Sequence, residues 1–232
     1  ASDVYKRQAW GWEPCTIDKV KEYKPTSNSI GSGQVLHCPY DFDKARLVVR
    51  EMIDLLVLDL VDKGFVTDQI VLTIGYDIEN LTDPKRSKAY SGPVTVDAYG
   101  RKIPKHAHGT ANIGRQTSST KLITEAVMDL YDRIVSPSLL IRRLNISANH
   151  VVPEQSVKIE PQVEQLDLFT NYEELEKQRE EENAALERER KMQQAVLSIK
   201  KKFGKNSILK GMNLQEGATA KDRNQQIGGH KA

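Results

Sequence analysis

The sequence has few cysteines and no long apolar segment, and each shortage excludes a class of protein. Its two cysteines, Cys15 and Cys38, cannot build a disulfide framework and lack metal-ligand spacing, which favours a reducing cytoplasm. No apolar run approaches the roughly 18 residues that span a bilayer. No basic stretch followed by an apolar one marks a signal peptide. We therefore expect a cytoplasmic protein with no membrane partner.

Signatures of catalysis are also missing. The glycine-rich stretch SIGSG at 29–33 lacks the Gly-Lys-Ser/Thr ending of a phosphate loop, and neither a nucleophile elbow nor a catalytic triad pattern occurs. His106 and His108 share a strand face, but no cysteine or carboxylate at ligand spacing accompanies them. A structural role is favoured over a metal site. We expect this chain to be non-catalytic and to hold no metal or cofactor.

The start of the chain is irregular. Residues 1–8 resemble a translated sequencing-library adapter, and we treat them as an artefact. In residues 9–28 tryptophan and proline interrupt any regular period, as at the end of an earlier domain followed by a linker. We therefore expect the chain to be the C-terminal part of a longer protein.

Residues 29–152 alternate between strand and helix patterns. A helix is predicted from Lys44 to Asp62, with an aspartate N-cap before it and Gly64 at its end. After a further strand and a polar segment with a possible hairpin, a second helix begins at Thr120, capped by Ser118 or Ser119. The order strand–helix–strand, repeated, predicts an α+β fold with a four-stranded sheet and both helices on one face. The other face of the sheet is left open for a partner.

The sequence changes character after this unit. Residues 153–171 form a predicted flexible linker, and residues 172–212 a long charged helix that is acidic at its start and basic at its end, as the helix dipole favours. Residues 213–232 are polar and rich in glycine and glutamine, which predicts disorder.

The segment from Lys85 to Lys121 has a local excess of positive charge, because it contains eight lysine and arginine residues and one acid, Asp97. A basic strip beside an open sheet is typical of a surface that binds a phosphate backbone. Ser118 and Ser119 add hydroxyl groups that position DNA without reading its bases. A solvated loop is the alternative interpretation.

The predicted linker contains the stretch QLDLF, with Gln165, Leu166, Leu168 and Phe169. Apolar side chains exposed together in a linker are costly unless a pocket receives them. The stretch resembles the bacterial sliding-clamp binding motif, a glutamine followed by leucine, any residue, leucine and phenylalanine. We interpret it as a peptide displayed for the clamp, with an accidental match as the alternative.

The long stretches NSIGSGQVLHCPYDFDKARLVVREMIDLL, GRKIPKHAHGTANIGRQTSSTKLITEAVMDLYDRIV and LLIRRLNISANHVV resemble the little-finger domain of Y-family translesion DNA polymerases, nearest to the UmuC/ImpB/MucB-like branch. The resemblance implies a little-finger domain at 29–152, the end of a thumb domain within 9–28, and a catalytic palm with its Mg²⁺ that this sequence does not contain. No residue here matches the palm carboxylates.

The resemblance also implies a function: gripping primer–template DNA without sequence preference, with a tether to the sliding clamp, in DNA repair and damage-induced (SOS) mutagenesis. A stand-alone adaptor that binds DNA and clamp without polymerase activity is the alternative, and a remnant without function is a third. The DNA contacts that we assign are Lys102, Lys105, His106, Arg115, Ser118 and Ser119.

Overall fold

The computed structural model describes residues 2–12, 15–23, 28–157, 172–227 and 230–231. Within residues 29–152 its elements follow the alternating patterns of the sequence, with two short helices added before the predicted hairpin. Short elements also form before residue 23 and after residue 219, where the sequence predicts no regular element. In chain order they are α1 (Ser2–Ala9), α2 (Ile17–Glu22), β1 (Ile30–Tyr40), α3 (Phe42–Lys63), β2 (Phe65–Tyr76), α4 (Glu79–Thr82), α5 (Pro84–Ala89), β3 (Val94–Val96), β4 (Lys102–Pro104), β5 (Ala107–Thr117), α6 (Thr120–Ile134), β6 (Ile141–Asn149), β7 (Val152–Pro153), α7 (Tyr172–Phe203), α8 (Ala220–Arg223), β8 (Gln226–Ile227) and β9 (His230–Lys231).

The two main helices begin and end where their sequence signals lie. The Asp41 side chain accepts a hydrogen bond from the Lys44 backbone N–H at 2.8 Å, and Gly64 closes α3 in a left-handed conformation with φ of 68°. Ser119 is the N-cap of α6 and accepts from the Leu122 N–H at 3.3 Å. These side chains satisfy helix-end groups that have no partner within the helix.

The main sheet has the strand order β1-β6-β2-β5, and every neighbouring pair is antiparallel. The short strand β7 adds a fifth strand by pairing with the start of β2. Each helix connects two strands that are separated in the sheet by a third, which is a split βαβ arrangement. The predicted α+β fold, with a four-stranded sheet and two helices on one face, is confirmed.

The core lies between the sheet and helices α3 and α6. Alternate residues of β2, namely Ile70, Leu72 and Ile74, are at most 1% exposed and face the helices. Gly109 of β5 lets α6 approach closely, since a Cβ there would lie 2.9 Å from a methyl group of Leu130. Apolar area removed from water contributes about 25 cal/mol per Å², so this one-sided burial is the main stabilising term of the domain.

A buried tyrosine joins the two helices at this core. The Tyr131 hydroxyl donates to the Phe42 carbonyl oxygen at 2.9 Å, and burial raises the pKa of Tyr131 strongly. On the surface, Arg46 of α3 forms a two-pronged ion pair with Asp132 of α6, with both N–O distances 2.8 Å. The hydrogen bonds from Arg46 lower the pKa of Asp132. Helices α3 and α6 therefore contact each other and form one continuous layer over the sheet.

Helix α7 lies over the outer side of this helix layer and forms a third layer. Its ion pairs join Lys201 to Asp62 of α3, and Arg190 to Glu154. Val196 of α7 lines an apolar groove together with Leu55 of α3. No helix in the described ranges has an apolar stretch long enough to cross a membrane.

Part of the chain after 212 differs from the predicted disorder, because residues 213–220 lie against α3. Their anchor is Glu51, a carboxylate of α3 that is 2% exposed. It accepts hydrogen bonds from the Asn213 side chain at 2.7 Å and from the backbone N–H groups of Thr219 and Ala220 at 2.7 and 3.0 Å. A buried carboxylate requires hydrogen-bond donors, and the polar tail supplies them to Glu51.

The second anchor of the tail is Arg223. Its guanidinium donates to Ser32 Oγ at 2.5 Å, to Gln34 Oε1 at 3.1 Å and to the Gly33 carbonyl oxygen at 3.3 Å, all on β1. Burial lowers the pKa of Arg223, and nearby Glu51 opposes that change. The tail thus bridges α3 and β1.

The tail contact gives a first prediction. In the variant Glu51→Ala the amides of Thr219 and Ala220 lose their acceptor, and hydrogen bonds to a charged group contribute about 1.5–3 kcal/mol each. We expect hydrogen exchange at these two amides to accelerate at least ~100-fold, while the sheet amides keep their protection. Glu125→Ala, which removes an exposed acid of α6, is the matched control. Unchanged protection at both amides in Glu51→Ala would contradict this role of Glu51.

Candidate nucleic-acid interface

The sheet face opposite the helices carries a grid of small and polar side chains. The registers align Gly33, Asn145, Thr73 and His108 across the four strands, and the next rows follow at intervals of two residues. Because side chains alternate along a strand, these positions point away from the core. The face comprises Gly31, Gly33, Val35, Gln69, Val71, Thr73, Gly75, His108, Thr110, Asn112, Arg143, Asn145, Ser147 and Asn149.

Hydrogen bonds between neighbouring strands order this face. Thr73 Oγ1 and His108 Nδ1 lie 2.8 Å apart, and Gln69 donates to the Asn112 side chain at 3.0 Å. Asn149 donates to Gln69 at 3.3 Å. None of the face positions named above is a carboxylate. Amide and hydroxyl groups of this kind bind phosphate and sugar oxygens without reading base sequence.

Arg143 is the single basic residue of the grid. It lies across from Gly75 of β2, where a Cβ would approach the Arg143 Cβ to 3.1 Å, so the glycine leaves room for the arginine stem. The Arg143 side chain is exposed, and no described carboxylate forms an ion pair with it. Its guanidinium is therefore available to bind an anion. Arg143 is not among the six predicted DNA contacts, although its place in the alternating pattern of β6 is a usable signal in the sequence.

Lys102, Lys105 and His106 lie together at one end of β5. Lys102 belongs to the hairpin of β3 and β4, and the Lys105 N–H donates to the Pro93 carbonyl oxygen at 2.8 Å. The rings of His106 and His108 are 6.4 Å apart, so His106 extends the open face. All three side chains are exposed, and no described carboxylate pairs with either lysine.

Part of the predicted basic strip is neutralised within the hairpin. Arg101 forms a 2.7 Å ion pair with Asp97, whose pKa is lowered chiefly by the hydrogen bond from Arg101. The net positive charge available at this end of the sheet therefore rests on the lysines rather than on Arg101.

Arg115, Ser118 and Ser119 lie at the opposite end of β5. Nine residues separate Arg115 from His106, which along a strand is about 30 Å. The structure therefore does not bring the six predicted DNA contacts into one cluster. Ser119 is buried, with 6% exposed, and both it and Arg115 contact α7. Sequence reasoning could not place α7 here, because the partners lie 67 and 70 residues apart.

The clamp-motif residues Gln165, Leu166, Leu168 and Phe169 lie outside the described residues. Within the ranges that the structure describes, no group of three or more histidine, cysteine, aspartate or glutamate side chains is arranged to hold a metal ion. The described residues therefore do not offer a Mg²⁺ site.

The fold and its open face define a class: a small α+β domain with one polar, carboxylate-free sheet face that suits a nucleic-acid backbone chemically. The chain belongs to the impB/mucB/samB family. Its residues 27–161, more than half of the chain, match the impB/mucB/samB family C-terminal domain. The resemblance to the UmuC/ImpB/MucB-like branch is thereby confirmed.

Comparisons with other known proteins add little to this assignment. No curated protein matches the chain. Among solved structures, a similar chain occurs in a complex of beta-clamp processivity factor and little finger domain of PolIV, with 9% identity and a TM-score of 0.35 over 62% of this chain and 100% of that one. At that TM-score the fold assignment rests on the strand order and helix positions described above.

Proposed function

We propose that this chain is the DNA-gripping and clamp-tethering C-terminal portion of a Y-family translesion DNA polymerase that acts in DNA repair and SOS mutagenesis. The observation that carries the proposal is the open sheet face, whose fourteen positions include no carboxylate in a domain of the impB/mucB/samB family. Catalysis and its Mg²⁺ are assigned to a palm domain outside this chain.

The proposed grip follows from the chemistry of the face. Arg143 in the last row of the grid and Lys105 beyond the same end neutralise phosphates, while Thr73, Asn145 and their neighbours supply hydrogen bonds. Contacts of this kind hold the DNA backbone and carry no sequence information. A polymerase that copies distorted templates needs such a grip, since a lesion alters bases and not the charge of the backbone.

The clamp tether is the second half of the proposal. The motif Gln165–Phe169 offers three apolar anchors in a short segment that directly follows the family domain. A tether to a ring on DNA raises the local concentration of the domain at a primer end, which compensates for a weak grip.

The salt dependence of DNA binding tests the grip. Each phosphate neutralised contributes about 0.9 to the slope of log Kobs against log salt concentration. The double variant Lys105→Ala/Arg143→Ala should therefore reduce the slope on a primer–template duplex by about two. Lys44→Ala/Lys63→Ala makes the same charge change on the helix side and should leave the slope unchanged. An equal slope in the wild type and in the Lys105/Arg143 variant would exclude this assignment.

Clamp binding is tested with purified bacterial sliding clamp by surface plasmon resonance. Leu168→Ala/Phe169→Ala removes two apolar anchors, each contributing about 1.5–3 kcal/mol when buried, so Kd should rise at least ~100-fold. Ile159→Ala/Val163→Ala truncates two apolar side chains of the same segment and should change Kd less than about threefold. Similar losses for both pairs would show that the motif does not define the contact.

A further inference from the structure

Helix α7 places its own carboxylates on residues of the proposed DNA interface. The Glu182 carboxylate accepts from the Arg115 guanidinium at 2.5 Å. Glu189 accepts from the Ser119 hydroxyl at 2.6 Å and from the Lys121 backbone N–H at 3.1 Å. Two side chains assigned to phosphate oxygens thus hold carboxylate oxygens instead.

These contacts lie on one stripe of α7. Glu182 and Glu189 are seven residues apart, and Gln193 follows after four more, so all three point to the same side of the helix. Gln193 is 6% exposed and donates to the Ser118 carbonyl oxygen at 3.0 Å and to Thr120 Oγ1 at 2.9 Å. Glu189 and Gln193 thus both contact the start of α6, while Glu182 contacts β5.

The position of the Glu189 carboxylate, at the N-terminal end of α6, has the chemistry of an anion site. The first turn of a helix presents N–H groups without internal partners and the positive end of the helix dipole, which together bind carboxylate or phosphate. Ser119 adds its hydroxyl, and Arg115 lies close enough to share the same stripe of α7. A DNA phosphate and Glu189 cannot occupy this position together.

The charges of α7 are divided between its two halves. Residues 172–189 contain eight glutamates and three basic residues, a net charge of −5. Residues 190–203 contain five basic residues and no acid. Glu182 and Glu189 of the acidic half contact Arg115 and Ser119, where their charge repels a phosphate backbone, while the basic half pairs with Asp62 on the helix layer.

The two halves are also held unequally. The basic half is fixed by buried Gln193 and by the apolar groove that Val196 shares with α3. The ion pair of Glu182 with Arg115 is exposed, with side-chain exposures of 52% and 42%. Exposed pairs contribute little and are screened by salt. The acidic half, held by this exposed pair and by the half-buried Glu189, is therefore the part that we expect another anion to displace.

We propose that α7 is an autoinhibitory strap that competes with DNA phosphates for Arg115, Ser119 and the first turn of α6. The inference rests on the proposed function and adds its regulation: DNA binds fully only after the acidic half of α7 has left this position. In the closed state Lys105 and Arg143 stay available, so the strap limits the extent of the grip and not the first encounter.

Affinity of the full chain for a primer–template duplex tests the strap. Glu182→Gln/Glu189→Gln keeps the size of both side chains and removes their charge, so Kd at low salt should fall roughly tenfold and the salt slope should rise by about one as Arg115 gains a phosphate. Glu180→Gln/Glu187→Gln makes the same charge change on the opposite side of α7, where both residues are exposed. Its effect should stay below about twofold.

A second measurement separates the strap from a general loss of negative charge. Arg115→Ala should weaken DNA binding about fivefold or more in the Glu182→Gln/Glu189→Gln background and less than twofold in the wild type, a coupling that only shared occupancy produces. Equal gains from both glutamate pairs, or the same Arg115→Ala effect in both backgrounds, would overturn the strap and leave the grip intact. If neither the wild type nor any variant bound DNA, the proposed function would fail, and the strap with it.

Discussion

Burial of one face of a four-stranded sheet beneath α3 and α6 is the constraint on which the rest of the structure depends. Since side chains alternate along each strand, filling one face with Ile70, Leu72, Ile74 and their neighbours commits the intervening residues to the other face. That second face is polar and ordered by its own hydrogen bonds. Burial of one sheet face therefore determines both which residues form the core and which residues form the candidate interface.

Local signals were sufficient to predict the domain. Asp41, Gly64 and Ser119 mark helix ends by the hydrogen bonds or backbone angles they provide, and the alternation in β2 fixes which residues face the core. The layer of α7 and the tail depends on polar contacts between distant residues. Glu51 lies within an apolar helix face, and nothing in its sequence neighbourhood indicates that it accepts bonds from Thr219 and Ala220.

The residues of the candidate site also fall into two groups, those that local sequence signals predict and those that depend on contacts between distant residues. The exposed lysines and His106 followed from the local charge excess, whereas the position of Arg143 across from Gly75 follows only from the register of β6 with β2. Ser118 and Ser119 were selected as free hydroxyl groups, yet their surroundings are set by α7. Composition predicts that a surface is basic. Composition does not show whether another part of the same chain covers that surface, because this depends on individually weak tertiary contacts such as those of α7.

The attachment of Arg223 to Ser32, Gln34 and Gly33 has a consequence for association between chains. Strand β1 is an edge strand, and an uncovered edge presents unpaired backbone groups to which another chain can add a strand. By occupying the Gly33 carbonyl oxygen and lying against β1, Arg223 makes this edge less suitable for such pairing. The same contact that anchors the tail therefore also leaves β1 a poorer template for edge-to-edge strand addition, and this effect involves no ligand.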